Sequence, residues 1–168
     1  MKSLTLALSL AAAPVFAAPL HLEVYNPQEK GIFPVSSTLV SGPKEAVLVD
    51  AQFSVKDGEK LVEMIKASGK TLKTIVITSG DPDFYFGLEP LVKAFPGVSV
   101  VASPSVVENI KATKDAKLAF WGPQMKDGAP TTITVPQATK ATRFTVDGEP
   151  LELKHSGDHA AYVWIPAN

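Results

Sequence analysis

The stretch from Ala46 to Ala102 constrains the fold of this chain most strongly, because short apolar runs alternate there with segments of helical character. A short continuous apolar run bounded by turn-forming residues is typical of a strand that is buried on both faces. Strands that alternate with helices predict βαβ units and hence an α/β sandwich. The predicted strands in this stretch are Ala46 to Val49, Leu72 to Thr78 and Val98 to Ala102.

Capping residues set the predicted bounds of the helices. Ser54 is a favoured N-cap and Gly69 is a favoured C-terminal stop, so a first helix is predicted between them. Asp81-Pro82-Asp83 opens a second helix, which ends near Phe95-Pro96-Gly97. Pro104 begins a third helix.

Further strands are predicted on both sides of this stretch. Apolar and polar residues alternate from Leu20 to Tyr25, as they do in a half-buried strand. Asp147-Gly148 is a typical hairpin turn. The remaining predicted strands are Val35 to Val40, Thr131 to Val135, Phe144 to Val146, Leu151 to Leu153 and Ala160 to Ile165.

The bulk composition limits the possible functions. The chain has 168 residues, enough for one domain with a sizeable core, and a formal net charge of −1. Its 16 basic residues are scattered singly, so the basic patch that nucleic-acid binding requires is not predicted. The chain has no cysteine, which excludes disulfides and thiolate ligands or nucleophiles.

The first 17 residues have the pattern of a cleaved secretory leader. Lys2 supplies a positive charge, an apolar run extends from Leu4 to Ala13, and Val15-Phe16-Ala17 offers small residues at the cleavage positions. The run is shorter than the roughly 20 residues that span a bilayer, which disfavours a membrane anchor. We therefore predict a signal peptide over residues 1–17, a secreted or periplasmic protein, and no membrane association after the leader is removed.

The last predicted strand has no obvious cover for its outer face, because only Pro166-Ala167-Asn168 follow it. Another chain could cover this face, or the domain could be cut short. Truncation is the expectation that the sequence favours.

The strongest functional signal lies between Thr74 and Gly87, in the sequence Thr-Ile-Val-Ile-Thr-Ser-Gly-Asp-Pro-Asp-Phe-Tyr-Phe-Gly. Together with Val47-Leu48-Val49-Asp50, it resembles the metallo-β-lactamase superfamily, in which a buried strand leads into a metal-binding loop of the pattern H-x-H-x-D-H. The resemblance extends from about Leu20 to Pro166. It implies an αββα sandwich over residues 18–168, incomplete at the C-terminus and equivalent to the N-terminal two-thirds of a family domain.

Several positions of the motif depart from the family pattern. Ser79, Asp81 and Phe84 stand where the three histidines would be, and Asp83 keeps the family residue. His155 matches the third metal-binding position, whereas the family's bridging acid and final histidine would lie beyond the last residue. Because Phe84 cannot bind a metal, the departures put the family's two-metal hydrolysis in doubt.

Two functions are consistent with these residues. In the first, the protein is an exported metallo-hydrolase relative with doubtful activity, in which Asp81, Asp83 and His155 bind one divalent metal, either zinc, manganese or iron. Asp83 would then be the catalytic residue. In the second, the protein is a non-catalytic relative whose cleft binds a small-molecule ligand or a partner without metal. The expected cleft residues are Ser79, Phe84 and Tyr85.

A structural role for the two aspartates also stays open. Asp81, directly before Pro82, is a favoured N-cap, and Asp83 in the first helical turn complements the helix dipole. These roles explain both carboxylates without a metal. A serine–histidine–aspartate triad through Ser79 is disfavoured, because the sequence lacks the G-x-S-x-G turn on which such a nucleophile sits.

Overall fold

The computed structural model describes residues 19–166 and residue 168, so the predicted leader lies outside the described residues. Short 3₁₀ turns at Gln28–Lys30 and Lys126–Gly128 accompany the regular elements. The strands are β1 (His21–Tyr25), β2 (Ser37–Ser41), β3 (Glu45–Val49), β4 (Thr71–Ile77), β5 (Ser99–Ala102), β6 (Gln137–Ala138), β7 (Arg143–Val146), β8 (Glu149–His155) and β9 (Ala161–Trp164). The helices are α1 (Val55–Ser68), α2 (Pro82–Tyr85), α3 (Leu88–Ala94) and α4 (Pro104–Met125).

Six strands form the main sheet in the order β1-β2-β3-β4-β5-β6. The first three pair antiparallel, and β3, β4, β5 and β6 pair parallel. The predicted βαβ units are thereby confirmed. Because β3 and β4 are parallel neighbours, their carboxyl ends reach the same edge of the sheet.

The alternation of side chains along β4 explains how the main sheet is covered on both faces. Ile75 and Ile77 belong to the core that the sheet shares with the helices. Val76, between them, points the opposite way and packs in a second core with Leu151 and Leu153 of β8. The strand β4 is therefore buried on both faces, as its continuous apolar sequence predicted.

The second sheet has three antiparallel strands in the order β7-β8-β9. Its turn at Asp147 is attached to the β2–β3 turn, because the Asp147 carboxylate accepts hydrogen bonds from the amides of Lys44 (2.8 Å) and Glu45 (2.9 Å). The layers are thus helices, main sheet and small sheet, which confirms the α/β sandwich. The second helical layer of a complete αββα arrangement is not found among residues 19–166.

The outer face of the small sheet remains open in the described part of the chain. Tyr162 and Trp164 of β9 are 51 % and 53 % exposed. Trp121 of α4 is partly buried and packs against the main core, with its ring 5.5 Å from that of Phe53. Among the described residues, none of the helices combines the length and apolar character that crossing a bilayer requires.

The predicted second helix is divided into α2 and α3, which corrects the prediction of one continuous helix. The loop after β3 binds the backbone at the break, since the Ala51 amide donates to the Phe84 carbonyl (2.8 Å) and the Gly87 amide to the Gln52 carbonyl (2.9 Å). A side chain at Gly87 would collide with the Ala51 carbonyl. The helix ends where tertiary hydrogen bonds replace helical ones.

The prediction of a strand from Thr131 to Val135 is wrong, because this segment is irregular and the sixth strand of the sheet is β6. The carboxylate of Glu89 in α3 accepts hydrogen bonds from the amide of Thr131 (2.6 Å), its hydroxyl (2.7 Å) and the amide of Thr132 (3.3 Å). These hydrogen bonds occupy the amides of Thr131 and Thr132, which a strand would need for pairing with its neighbour in the sheet.

Replacement of Ser54 by alanine tests the capping of α1. The Ser54 hydroxyl accepts a hydrogen bond from the Asp57 amide (3.1 Å), and Gly69 ends the helix at a φ of 66°, as predicted. We expect Ser54→Ala to lower the free energy of unfolding by about 1 kcal/mol, since one amide loses its partner. Urea denaturation measures this loss, and exposed Ser99→Ala is the control. Equal stabilities of the two variants would contradict the assignment.

Candidate functional site

The motif loop, Ser79–Phe84, begins two residues after β4 and lies beside Asp50, which directly follows β3. Asp50 has a left-handed backbone conformation with a φ of 63°. Its carboxylate accepts hydrogen bonds from the amide (2.8 Å) and the hydroxyl (2.7 Å) of Thr78. Asp50 therefore connects the ends of two parallel strands at the base of the motif loop.

Burial determines the charge state of Asp50, which is 5 % exposed. Loss of hydration raises the pKa of its carboxyl to about 7, against the lowering effect of its two hydrogen bonds from Thr78. The nearby Asp83 carboxylate raises the pKa further. Near neutral pH the carboxyl group is thus partly protonated, and it can then donate to the Thr78 hydroxyl.

Asp83 lies in α2, half-buried, above this pair. Burial raises the pKa of the Asp83 carboxyl, and so does the charge of Asp81, whereas the backbone amide of Asp83 and the ammonium group of Lys117 lower it. The motif loop therefore places two carboxylates close enough to repel each other, with a lysine as the nearby compensating charge.

The histidine turn, His155–His159, lies against the motif loop. Ser79 forms an isolated antiparallel bridge with Ala160, and the Gly80 amide donates to the His159 carbonyl (3.3 Å). The Ala161 amide donates to the Thr78 carbonyl (2.7 Å). The backbones of the two segments are thus joined, while the side chains of His155 and His159 are exposed.

The other side of the motif loop contacts α4. The ammonium group of Lys117 donates to the Gly80 carbonyl (2.7 Å) and lies 3.5 Å from Asp81 Oδ1. Asn109, two helical turns earlier on the same face of α4, has its Oδ1 at 3.5 Å from the same ammonium group. This contact involves two residues, Lys117 and Asn109, that the sequence analysis did not select.

Asp81 occupies the N-cap position of α2, but its carboxylate makes no capping hydrogen bond. The predicted capping role of this side chain is therefore wrong. The Asp81 amide instead donates a hydrogen bond to the Ser79 hydroxyl oxygen (3.2 Å), and the 69 % exposed carboxylate extends toward Lys117. Pro82 is at the first helical position, as expected.

The three predicted cleft residues lie in different surroundings. Ser79 is 8 % exposed and Tyr85 is 1 % exposed, with the Tyr85 ring inside the main core. Phe84 is partly buried against the same core. Burial raises the pKa of Tyr85, whose hydroxyl has no hydrogen-bond partner among the described residues. Of the three, Phe84 is therefore the one that is partly open to solvent.

The side chains of the motif loop do not fit the metal centre that the motif would imply. Phe84 has no ligand atom, Ser79 carries a neutral hydroxyl, and Asp81 faces an ammonium group rather than further ligands. Among residues 19–166 and 168, no three His, Cys, Asp or Glu side chains lie close enough together to hold a metal ion. Asp81, Asp83 and His155 thus share a region but are not assembled in this conformation.

A family model described as the metallo-beta-lactamase superfamily matches residues 31–162, well over half of the chain. No curated protein matches the chain. Among solved structures, the B3 metallo-beta-lactamase BLEG-1 is 13 % identical with a TM-score of 0.64, over 86 % of this chain and 67 % of that one. A metallo-beta-lactamase from Pontibacter korlensis is 22 % identical with a TM-score of 0.53, over 91 % and 66 %. The DIM-1 metallo-beta-lactamase is 20 % identical with a TM-score of 0.51, over 90 % and 63 %.

The TM-scores show a common fold, and the family model confirms the resemblance that the motif suggested. The chain spans about two thirds of the length of these structures.

Exchange of Asp50 for asparagine tests the buried carboxyl by its effect on pH dependence. Asparagine preserves the shape and tolerates the left-handed backbone; its Oδ1 can accept from the Thr78 amide, and its NH2 group can donate to the Thr78 hydroxyl, which reverses the second hydrogen bond. Because the folded-state pKa of about 7 exceeds the ordinary value of 3.8, the folded protein retains a proton that the unfolded chain has lost. The Asp50 carboxyl therefore makes its full contribution to the free energy of unfolding below the ordinary pKa, and this contribution falls as the pH rises toward 7.

We expect the free energy of unfolding of the wild type, relative to Asp50→Asn, to fall by on the order of 1 kcal/mol per pH unit between about pH 5 and pH 7. Urea denaturation at several pH values gives this difference. Exposed Asp115→Asn, measured in the same way, is the control for loss of a surface carboxyl group. A flat profile for Asp50→Asn would show that the Asp50 pKa is not raised.

Proposed function

The chain belongs to the metallo-beta-lactamase superfamily, and on that premise we propose that it is an exported ligand-binding protein that uses the family fold without the family's metal centre. Export rests on the predicted leader over residues 1–17, which directs the mature protein to the periplasm or the outside of the cell. Since the chain spans about two thirds of the solved family structures, the activity of the whole protein is part of the proposal.

The observation that carries the proposal is the set of side chains on the motif loop. A catalytic zinc site needs three protein ligands and an open position for water. At the positions of the family's three histidines, the loop has Ser79, Asp81 and Phe84. The Asp81 carboxylate lies 3.5 Å from the Lys117 ammonium group. A fixed positive charge beside Asp81 opposes the approach of a divalent cation.

The proposed ligand site is the crevice at the carboxyl ends of β3 and β4. Open α/β sheets bind ligands outside the carboxyl ends of their strands, because loops from different strands converge there. Here Ser79 and Phe84 would form one wall, and the exposed imidazoles of His155 and His159 would form the other. The ligand in this proposal is a small molecule with polar groups that face the histidine turn.

A second candidate is a metallo-hydrolase with a reduced site, and the bridge between Ser79 and Ala160 favours it. This bridge holds the histidine turn beside the motif loop, so a movement of His155 toward Asp81 and Asp83 would complete a three-ligand set. Zinc, manganese or iron would suit two carboxylates and one imidazole. A bound metal would supply a Lewis acid and an activated water, with Asp83 as the catalytic residue.

Metal content distinguishes the two candidates. We expect the purified mature protein, after incubation with zinc, manganese and iron(II) salts and dialysis without chelator, to contain only background metal by elemental analysis. Hydrolysis of a chromogenic β-lactam should also stay at background. The wild type and the Asp83→Asn, His155→Ala and His21→Ala variants are compared, because His21 is an exposed strand histidine far from the motif in sequence.

Near one equivalent of metal that is retained in His21→Ala and lost in both other variants would refute the metal-free proposal and establish the reduced site.

A further inference from the structure

We propose that the motif loop contains a cation site made of oxygen atoms, and that Lys117 fills this site with its own ammonium group. The inference concerns what holds the loop in place, and it goes beyond the proposed function because it does not depend on which ligand the crevice binds. The oxygen atoms of the cation site belong to the Gly80 carbonyl, the Asp81 carboxylate and the Asn109 side-chain carbonyl.

Three oxygen atoms surround the ammonium group, one in a short hydrogen bond and two at longer distances. Its nitrogen lies 2.7 Å from Gly80 O, 3.5 Å from Asp81 Oδ1 and 3.5 Å from Asn109 Oδ1. An ammonium group has three N–H donors, which matches the three oxygens around it. The Lys117 side chain is only 21 % exposed, so its contacts with Gly80 and Asn109 are partly protected from bulk water, whereas the 69 % exposed Asp81 carboxylate lies at the open side of the site.

Gly80 is the point at which the loop is held from both sides. Its amide donates to the His159 carbonyl at 3.3 Å, and its carbonyl accepts from Lys117. A side chain at Gly80 would collide with Asn109 Oδ1, so the loop approaches α4 as closely as a glycine permits. Without the ammonium group, the Asp81 and Asn109 oxygens and the Gly80 carbonyl would face one another with no positive charge between them.

The chemistry of the site explains why a lysine suits it. A site made only of carbonyl and carboxylate oxygens is typical of hard cations, whereas zinc sites usually include nitrogen or sulfur ligands as well. A tethered ammonium group satisfies these oxygens at low entropic cost, because α4 already positions its stem. Lys117 therefore acts as a positioning residue for the motif loop and takes the place of a cation from solution.

The test is removal of the ammonium group and its return as a free ion. Lys117→Ala leaves a channel with the length of n-propylammonium, and Lys114→Ala is the matched control because Lys114, 27 % exposed, lies on the same helix and pairs with Asp115. Amide hydrogen exchange of Gly80 and Ala161 is measured with and without n-propylammonium chloride, against sodium chloride at equal ionic strength.

We expect exchange at Gly80 and Ala161 to be faster in Lys117→Ala than in Lys114→Ala by at least about tenfold, because a hydrogen bond to a charged donor is lost at the loop. Added n-propylammonium should restore protection in Lys117→Ala and change nothing in Lys114→Ala. Equal exchange in the two variants, or no effect of the amine, would overturn the proposal.

Should Lys117→Ala fail to fold, Lys117→Arg and Lys117→Gln decide the question. Arginine keeps the charge and should keep the protection at Gly80, whereas glutamine should lose it. Equal protection in both would overturn the proposal. Metal content of the wild type tests the proposed function separately, so a metal-free wild type with an unaffected Lys117→Ala variant would overturn this inference alone.

Discussion

Parallel pairing of β3 and β4 is the constraint on which the candidate site depends. The register that places Val49 beside Val76 brings Asp50 to the Thr78 amide and hydroxyl, so the two strand ends are joined by a buried carboxyl group. The motif loop starts from this fixed point. Its course is then determined by two further contacts, one with the histidine turn of the small sheet and one with α4, and both meet at Gly80.

The contacts of the motif loop come from the main sheet, the small sheet and the helical layer. Together they hold the loop in place without any metal. In a metal centre, the ion itself would hold ligands from separate elements together. Here the backbone bridge to Ala160 and the ammonium group of Lys117 make equivalent connections. A family fold can thus retain its loop geometry after the ligand residues have changed, because the geometry is stabilised by hydrogen bonds and one tethered charge.

The sequence predicted the parts of the fold that local rules determine. The buried strands β3, β4 and β5 and the cap of α1 at Ser54 followed from apolar runs and capping preferences. The break at Gly87 and the irregular segment at Thr131 could not be predicted in this way, because hydrogen bonds from distant residues override local propensity there. The family resemblance correctly located the motif loop, but the partner of Asp81 was missed. Lys117 is 36 residues away in sequence, and only the tertiary structure shows which face of α4 meets the loop.

In the proposed arrangement, Lys117 rather than a metal ion holds the motif loop. Anomalous X-ray diffraction at the zinc and manganese edges, on crystals of the mature protein soaked in each ion, distinguishes the two. We expect no anomalous peak at the motif loop and a Lys117 ammonium group within hydrogen-bonding distance of the Gly80 carbonyl. A peak bound by Asp81, Asp83 or His155, with Lys117 displaced toward solvent, would refute the proposal.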